Sequence, residues 1–507
     1  MAESFTREDV ALLRPYVTSV EKPIYALRNL PEEVVAVLFA YYSRSSGSLR
    51  RNLLKLITEQ DIDLAARLSS SVLEETELTA AKEKARQFHE KWVVGYGHAS
   101  VAEHAVVHLA IEDVSIIAAK LIEDTRLASY TEKSTRYVLF DDEKFFRVPR
   151  LIHSPHATLY EDTVRLLLNT YMTLVPQVVD CIKAREVRRS TQSERAYETA
   201  CRAKAYDLLR YLLPASTLTN LGLTINARAL EHLLSKLLSH PLEEARDIGT
   251  AMKIEAEKVV PTLLKYAAYN PYVAETDQAM RQLGEELCAA DEPLETPAVC
   301  LVHFPVDAET QLAAAILYGY TAVSWVQLVE RVSKLGTEAR QRIIDDYLQR
   351  RGPHDQPLRA LEHLYYSFDI VLDYGAFRDI QRHRMATQTR QEVSTRYGYS
   401  MPDDLVAYGF GDVLQSCMER AGEAYNRLVV TYPLEAPYVL PLAYRLRVLF
   451  TWNLRELFHF IQLRSARQGH FSYRRIAQQV YGEIERVHPT LARYIRVDLG
   501  DYQLGRL

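Results

Sequence analysis

Apolar residues recur at helical spacing through most of this 507-residue chain. Spacings of three and four place them on one face of a helix. Clear examples are the stretches VSIIAAKLIEDTRLAS, ALEHLLSKLLSHPLEEARDIGTAM and VLFTWNLRELFHFIQLRSARQ. Stretches typical of strands are few and short. The pattern therefore predicts an α+β protein that is mainly helical, with a small sheet in each of two parts.

Four features of the first part recur in the same order in the second. They are a β-like stretch that leads into a helix, a Glu-His pair, the tetrapeptide Ser-Thr-Arg-Tyr, and a proline followed twelve residues later by Asn-x-Arg-x-x-x-His. Ordered recurrence at a fixed spacing indicates a tandem duplication. We predict two domains, 1–285 and 286–507, and the acidic, proline-containing stretch 285–297 suits a linker between them.

Composition narrows the functional classes. Hydrophobic residues make up 48% of the chain and charged residues 25%, which suits a globular protein, and the formal net charge of -5 argues against broad nucleic-acid binding. No apolar run is long enough to span a bilayer, and the N-terminus lacks the pattern of a secretory signal. The five cysteines are scattered. We expect a cytoplasmic protein without membrane or nucleic-acid partners.

One polar stripe stands out on the last long helices. Asn453, Arg455 and His459 project along one flank of a helix, and Arg464 follows about one and a half turns later. A solvated helix face with a capped end would have the same pattern. The recurrence of Asn-x-Arg-x-x-x-His in the other part of the chain favours a functional role.

A second candidate cluster is Asp379, Arg382, His383 and Arg384. Two guanidiniums beside an imidazole are suited to a phosphate or to the polar edge of a flavin or nucleotide. The serine and arginine of each Ser-Thr-Arg-Tyr loop could also bind phosphate. Taken alone, either motif could equally be a basic surface patch.

Other chemistries have less support. His98, His104 and His108 could hold zinc, but there is no HExxH motif and no matching carboxylate or cysteine. A GxSxG elbow, a GxGxxG turn and a P-loop are also absent from the sequence. We therefore predict no metal site and no enzyme nucleophile.

Together these motifs resemble the flavin-dependent thymidylate synthases, the ThyX family, whose pattern is GHxSxxEH, RHRxASxxExSxRY, RxxLP, NxR and LR. The resemblance covers most of both halves and implies two tandem ThyX-like domains. It also implies FAD as cofactor, NADPH and methylenetetrahydrofolate as co-substrates, and methylation of deoxyuridine monophosphate (dUMP) at C5. Family members are usually homotetramers with sites between subunits, so the resemblance implies a homodimer that forms a pseudo-tetramer.

The two halves have lost different parts of the family pattern. The second half keeps Arg382-His383-Arg384 and Leu463-Arg464, but its Ser-Thr-Arg-Tyr loop is two residues longer and Pro437 replaces the RxxLP arginine. The first half keeps the loop in register and keeps Arg210. It has Asp124-Thr125-Arg126 in place of RHR, and Leu237 in place of the final arginine. Combining the first half's loop with the second half's cluster would restore one nearly complete site.

By this resemblance, Arg464 is the catalytic residue that stabilises the anionic pyrimidine. The expected substrate-binding residues are Glu132, Ser134, Arg136, Arg210, Asp379, Arg382 and Arg464. The expected cofactor-binding residues are Ser100, Glu132, Arg382, His383, Arg384, Asn453, Arg455 and His459.

Three departures from the family keep other functions open. Asp379 stands where the family usually has glutamine, His459 replaces an asparagine found in many members, and the second loop is remodelled. The alternatives are the same flavin scaffold acting on a different pyrimidine nucleotide, and a non-catalytic ThyX-like protein that binds nucleotide.

Overall fold

The computed structural model describes residues 5–42, 47–58, 99–288, 291 and 294–502. The chain divides into two compact units. The first unit comprises Met1–Glu112, Leu127–Glu132 and Asn220–Ala289, and the second unit comprises Asp113–Arg126, Lys133–Thr219 and Ala290–Leu507. The second unit therefore combines segments from both halves of the duplicated sequence.

Helices and a three-stranded sheet form the first unit. The sheet has the order β1-β3-β2, with β1 at Val106–Ser115, β2 at Ala128–Glu132 and β3 at Leu218–Asn226. Strands β2 and β3 are antiparallel, and Ala128 lies opposite Ile225. The described helices of this unit are Arg7–Leu13, Glu32–Tyr42, Leu49–Thr58, Ala227–Leu238, Glu243–Glu257 and Pro271–Cys288, with a 3₁₀ turn at Ala99–His104.

The second unit is built on a four-stranded antiparallel sheet of order β4-β5-β7-β6. These strands are Val299–His303 (β4), Tyr365–Asp373 (β5), Ala386–Arg390 (β6) and Arg445–Asn453 (β7). Its described helices are Ile116–Ile122, Pro149–Ile152, Ala157–Arg185, Glu194–Leu209, Ala308–Tyr318, Trp325–Ser333, Thr337–Leu348, Tyr374–Ile380, Asp403–Ala407, Gly411–Leu428, Leu454–Ser465, Phe471–Val487 and Pro489–Ala492. Shorter 3₁₀ turns lie at Arg210–Leu212, Arg359–His363 and Ala436–Val439.

One face of this sheet forms the core of the second unit. Alternate residues of β7, from Leu446 to Trp452, are fully buried. The Trp452 ring stacks on Phe450 and on Phe460, with ring centres 4.6 and 5.0 Å away. Phe460 lies on the helix Leu454–Ser465, so helix and sheet share one apolar layer. A mainly helical chain with two small antiparallel sheets confirms the predicted α+β class.

The recurring Asn-x-Arg-x-x-x-His string marks the same local structure in both copies. Strands β3 and β7 each have nine residues and the same alternation of buried and partly buried positions. Each ends in an asparagine that caps the following helix. Asn226 Oδ1 accepts from the backbone N–H of Ala229, and Asn453 Oδ1 accepts from that of Glu456, both at 2.8 Å. The asparagine of the repeat is therefore a helix N-cap.

Within the second unit, equivalent segments of the two halves pair with each other. The Ala215 N–H donates to the Leu440 carbonyl, and the Leu442 N–H donates to the Leu213 carbonyl, both at 2.9 Å. Each segment surrounds one of the prolines of the repeat, Pro214 or Pro441. Reciprocal contacts between equivalent residues are typical of a twofold interface. The two copies thus meet around a local pseudo-twofold at these prolines.

No helix among the described residues is long and apolar enough to cross a membrane.

Candidate functional site

Four arginines of the second unit surround the carboxylate of Asp379. Arg136 lies in the first Ser-Thr-Arg-Tyr loop, and Arg210 starts the 3₁₀ turn after the helix Glu194–Leu209. Arg382 follows the helix Tyr374–Ile380, which carries Asp379, and Arg464 lies on the last turn of Leu454–Ser465. Two of these arginines come from each half of the duplicated sequence.

Arg210 and Asp379 form an ion pair between the two halves. Arg210 Nη1 donates to Asp379 Oδ2 at 3.0 Å, and the side chains are 2% and 15% exposed. Arg210 Nε and Nη2 are also buried, and neither has a hydrogen-bond partner among the described residues. Buried donors without an acceptor are costly, so these two groups are positioned to bind an added acceptor.

Gly375 provides the space in which the Arg210 guanidinium lies. A Cβ atom at position 375 would lie 3.3 Å from Arg210 Nε and 3.4 Å from Nη2. It would also lie 3.1 Å from Oδ1 of Asp373, the residue that caps the helix Tyr374–Ile380. The close approach of Arg210 to this helix start therefore depends on a residue without a side chain.

Arg136 is held by a carboxylate and a phenol. Its Nε and Nη2 donate to the two carboxylate oxygens of Asp207 at 2.7 and 3.0 Å, and Nη1 donates to Tyr473 Oη at 3.0 Å. Burial alone would lower the pKa of Arg136, but the Asp207 carboxylate outweighs it and raises that pKa above its ordinary value. The bidentate pair fixes the plane of the guanidinium.

Asp379 remains ionised although it is buried. Burial would raise the pKa of Asp379, but Arg210, Arg136, Arg464 and Arg382 together hold that pKa well below its usual range. Four guanidiniums face the carboxylates of Asp379 and Asp207, and Asp373 also faces Arg210, which leaves an excess of positive charge. The region therefore favours an anionic ligand over a neutral one.

His383 links Arg464 to Glu456 and is neutral. Arg464 Nε donates to His383 Nε2 at 2.8 Å, so that ring nitrogen must be the acceptor. The other nitrogen, Nδ1, then carries the proton and donates to Glu456 Oε1 at 2.9 Å. Burial and the neighbouring Arg464 hold the pKa of His383 well below its usual range. Both ring nitrogens are engaged, so His383 orients Arg464.

Tyr473 contacts one arginine from each half, Arg136 and Arg464. Its hydroxyl accepts from Arg136, and its ring centre lies 5.2 Å from the Arg464 guanidinium carbon. Burial lowers the pKa of Arg464, while the Asp379 charge acts in the opposite direction. The guanidinium of Arg464 therefore lies in a poorly hydrated environment, against an aromatic face.

The start of the helix Phe471–Val487 supports this arrangement. His470 Nδ1 accepts from the Ser472 N–H at 3.2 Å, and its Nε2 donates to the Asp207 carbonyl at 3.0 Å. Asp373 Oδ2 accepts from the hydroxyls of Tyr211 and Ser472. These bonds join the helix that carries Tyr473 to the segment that carries Asp207 and Arg210.

The other residues of the predicted second-half cluster have structural partners. Asn453 caps its helix, and Arg455 donates to the Pro357 carbonyl and to Glu362. The His459 ring centre is 5.4 Å from that of His383. Arg382 is exposed, and Arg384 is half-buried. In the first Ser-Thr-Arg-Tyr loop, Ser134 Oγ accepts from the Arg136 backbone N–H at 3.2 Å.

Two predicted site residues belong to the first unit. Ser100 is exposed in the 3₁₀ turn Ala99–His104, and Glu132 is buried at the end of β2. Their proposed roles remain predictions. Among the described residues, no group of three histidine, cysteine or acidic side chains could hold a metal ion, and His98 lies outside those residues.

Sequence reasoning missed four residues that organise the site: Asp207, Glu456, His470 and Tyr473. Asp207 lies one turn before Arg210, and Glu456 lies within the second Asn-x-Arg-x-x-x-His string. Their positions beside recognised motifs could have indicated a role for both. His470 and Tyr473 follow the last recognised motif and had none.

A comparison with known protein families identifies the family of this chain. It matches the family described as thymidylate synthase complementing protein, the ThyX family, over residues 52–262 and 301–490. The chain belongs to this family. The family model matches two separate segments, which confirms the duplicated arrangement predicted from the repeats.

Two relatives illustrate the range of similarity. A UPF0159 protein of Chlamydia pneumoniae is 36% identical over 524 residues, which cover 100% of this chain and 97% of that protein. A flavin-dependent thymidylate synthase of Thermococcus onnurineus is 27% identical over 196 residues, which cover 37% of this chain and 70% of that protein.

A solved structure is also similar. It is the flavin-dependent thymidylate synthase ThyX from Helicobacter pylori complexed with FAD and dUMP, at 18% identity and a TM-score of 0.29, covering 38% of this chain and 97% of that chain. This likeness is too distant to support a statement about the present chain.

Proposed function

We propose that this chain is an FAD-dependent enzyme of the thymidylate synthase type with one composite site. The observation that carries the proposal is the cluster around Asp379, where Arg136 and Arg210 of the first half meet Arg382 and Arg464 of the second. Membership of the thymidylate synthase complementing family supports the reaction class, as do relatives named flavin-dependent thymidylate synthases.

In this proposal, Arg136, Ser134 and Arg210 bind the 5′-phosphate of dUMP. The four arginines outnumber the carboxylates of Asp207, Asp379 and Asp373, and the excess positive charge suits a phosphate group. The buried Nε and Nη2 of Arg210 would find their missing acceptors in phosphate oxygens. Arg382 and Glu132 would complete the contacts to the nucleotide.

Arg464 is the proposed catalytic residue. Loss of the N3 proton makes C5 of the uracil ring nucleophilic, and a guanidinium beside the pyrimidine carbonyl stabilises the resulting anion. Neutral His383 accepts from Arg464 Nε and thereby orients the remaining N–H groups. Since Arg464 is partly buried, its charge acts on the substrate with less screening than in water.

The residues near His383 fit the polar edges of FAD. Arg382 and Arg384 supply guanidiniums for a diphosphate, and the half-buried His459 ring supplies a face beside His383. His383, Asn453 and Arg455 are already bonded within the chain, so they would act by holding these neighbours in place. Ser100 and Glu132 are further proposed contacts. FAD, when bound, would supply the hydride that completes the transferred methyl group.

Methylenetetrahydrofolate would supply the carbon and NADPH the reducing equivalents. We expect the chain to act in the cytoplasm as a homodimer, in which four ThyX-like domains reproduce the family's four-subunit assembly. Sedimentation equilibrium should then give twice the chain mass of 58.1 kDa, and a monomer or a tetramer of chains would contradict that assembly.

The ion pair between Arg210 and Asp379 favours a second candidate. A carboxylate near the substrate would disfavour the anionic form of the uracil ring, so the natural substrate would be a pyrimidine nucleotide other than dUMP. A non-catalytic protein that binds nucleotide is the remaining alternative.

The deciding experiment measures flavin content and then methyl transfer. The visible absorption spectrum of the full chain should show about one flavin per chain, and the cofactor released from it should be identified as FAD. Two per chain would contradict the single composite site, and none after reconstitution would favour the non-catalytic alternative. Labelled methylenetetrahydrofolate with dUMP, compared with a panel of other pyrimidine nucleotides, then separates the two enzymatic candidates.

A further inference from the structure

The helix Pro271–Cys288 of the first unit carries an exposed apolar stripe. None of its 18 residues, all of which are described, is buried. Successive residues of a helix are rotated by about 100°, so five apolar residues and one threonine fall within an arc of about 100°. These residues are Tyr272, Val273, Thr276, Met280, Leu283 and Leu287. A stripe of this width ordinarily packs against another surface.

The start of this helix is bonded to the rest of the first unit. The Asn270 N–H donates to Ser239 Oγ at 2.7 Å, and Asn270 Oδ1 accepts from the Tyr272 N–H at 3.1 Å. Just before it in the chain, Lys253 Nζ donates to the Ala267 carbonyl at 2.7 Å. The stripe therefore extends from an anchored base.

The stripe belongs to the connection between the two copies of the duplicated sequence. The family model matches residues 52–262 and 301–490, and this helix lies between those segments. A helix that served only as a connection would be polar on all sides, because water would surround it. Exposed apolar patches more often mark a surface that binds another protein. The stripe is therefore not explained by the connection alone.

The stripe is complementary to itself when two copies of the helix lie antiparallel. If the two midpoints coincide, Leu287 lies opposite Tyr272 of the other copy, and Leu283 lies opposite Thr276. Met280 then lies near its own equivalent. From Thr276 onwards the spacing alternates between four and three residues, which is the spacing of paired helices. A second copy of this chain therefore fits the stripe.

The charges of the helix also favour an antiparallel copy. In this fully described helix, Glu285 and Glu286 lie in the last turn without a basic residue, and the first turn has no acidic residue. Negative charge at a helix C-terminus opposes the helix dipole. An antiparallel partner places each acidic end beside a helix N-terminus, where negative charge is favourable. A parallel partner would instead bring the acidic ends together.

The exposed apolar area is close to what a dimer needs. Tyr266 and Tyr269 precede the helix, and both are exposed, as is Tyr272. Since an aromatic side chain buries about 150–250 Å², the exposed parts of these three tyrosines amount to about 300–500 Å² per copy. The aliphatic residues of the stripe add to this area. A stable interface buries about 800 Å² per partner.

We propose that this stripe is a dimer interface, on which the helix Pro271–Cys288 of a second copy of the chain packs antiparallel. The inference rests on the homodimer of the proposed function and names a surface that holds it. The stripe lies in the first unit, whereas the arginine cluster around Asp379 lies in the second. Association and flavin content therefore test the two proposals separately.

Sedimentation equilibrium of the full chain over a range of concentrations tests the interface. The double variant Met280→Glu/Leu283→Glu should raise the dissociation constant of the dimer at least about tenfold, because dimerisation would bury unpaired carboxylates. Gln278→Glu/Gln282→Glu is the matched control, since it adds the same charge at exposed positions outside the stripe. It should dimerise as the parent does. Thermal melts should show that both variants are folded.

Disulfide formation provides a second measurement. Met280→Cys should give a disulfide-linked dimer on oxidation, because the two residues lie near the midpoint. The exposed Cys288 is an internal control. In an antiparallel pair the two Cys288 residues lie about 25 Å apart along the axis, whereas a disulfide requires Cα atoms within about 7 Å. The parent should therefore not cross-link through Cys288.

Four results would overturn the proposal. They are a monomeric parent, a glutamate variant of the stripe that dissociates within twofold of the parent, a control variant that dissociates as readily as the stripe variant, and a parent that cross-links through Cys288. FAD content is measured on the same samples. A parent that binds one FAD but does not dimerise would refute the interface and leave the composite site standing.

Discussion

Arg210 and Asp379, 169 residues apart, form a buried ion pair that joins the two halves of a duplicated sequence. The two side chains come from different copies. The reciprocal pair cannot form, because Pro437 occupies the position in the second copy that corresponds to Arg210. We therefore expect one such site per chain. A duplication that begins with two equivalent sites can lose complementary residues from each and retain one composite site.

The substitution Asp379→Gln should increase the affinity for dUMP by about tenfold, since it removes a negative charge that competes for Arg210. Without ligand, the variant should melt at a lower temperature, because the buried Arg210 loses its ion pair with Asp379. Calorimetric titration with dUMP and thermal melts measure the two effects. Asp180→Asn, on an exposed position of the helix Ala157–Arg185, should change neither. Weaker dUMP binding by Asp379→Gln would show that the carboxylate contributes to substrate recognition.

Gly375→Ala should displace the Arg210 guanidinium, because the new methyl group would approach Nε and Nη2 to within 3.4 Å or less. We expect a loss of about 1–3 kcal/mol in the free energy of unfolding, as for other overpacked sites, together with weaker nucleotide binding. Gly482→Ala is the matched control, because Gly482 lies inside a helix and a Cβ added there would meet no atom of another part of the described structure within 4 Å. It should be neutral or stabilising by up to about 1 kcal/mol. Equal unfolding free energies for the two variants would contradict the close approach.

Acid should destabilise the fold through two buried neutral histidines. Burial, with Arg464 near His383 and Arg210 near His470, holds the pKa of each ring well below its ordinary value. The stabilisation is present above the unfolded-state pKa of about 6.5 and is lost as the pH falls below it, since only the unfolded state takes up the proton. Each histidine should lower the free energy of unfolding by about 1 kcal/mol as the pH falls from 6.5 to 5.5.

Urea unfolding of the parent and of His470→Gln at both pH values measures this dependence. Glutamine can both accept from Ser472 and donate to Asp207, as His470 does, but it does not titrate. Burial raises the pKa of Glu456, which acts in the opposite direction. Comparing the two proteins at each pH isolates the His470 contribution. An unchanged pH dependence in His470→Gln would mean that His470 is not the titrating group.

Arg464→Ala should lower turnover by about 10²–10³-fold while FAD content stays near that of the parent, since the guanidinium is proposed to act on the substrate anion. Arg126→Ala is the control. Arg126 is the last residue of the first half's replaced RHR segment, and within the described part of the chain it donates one long bond, of 3.4 Å, to Thr387. It should leave turnover unchanged. Loss of FAD in Arg464→Ala would instead assign this arginine to cofactor binding.

Much of the architecture was readable without coordinates. The spacing of apolar residues predicted a mainly helical α+β chain, and the ordered repeats predicted the duplication. Both are local or periodic signals, and the Asn-x-Arg-x-x-x-His string has a local cause: an asparagine that ends a strand and caps the next helix. The sequence by itself also determined that the halves had lost complementary residues, because each loss is visible in its own motif.

Only the tertiary structure decided which groups neutralise and orient the arginines. Arg136 bonds to Asp207, which is 71 residues away in the sequence, and to Tyr473, which is 337 residues away. Arg464 bonds to His383, which is 81 residues away. The tertiary structure also decided that segments of both halves fold into one compact unit and that the apolar stripe of the helix Pro271–Cys288 is exposed. Helices and caps depend on neighbours within a few residues, whereas ion pairs depend on which distant surfaces pack together, and no local pattern in the sequence encodes that choice.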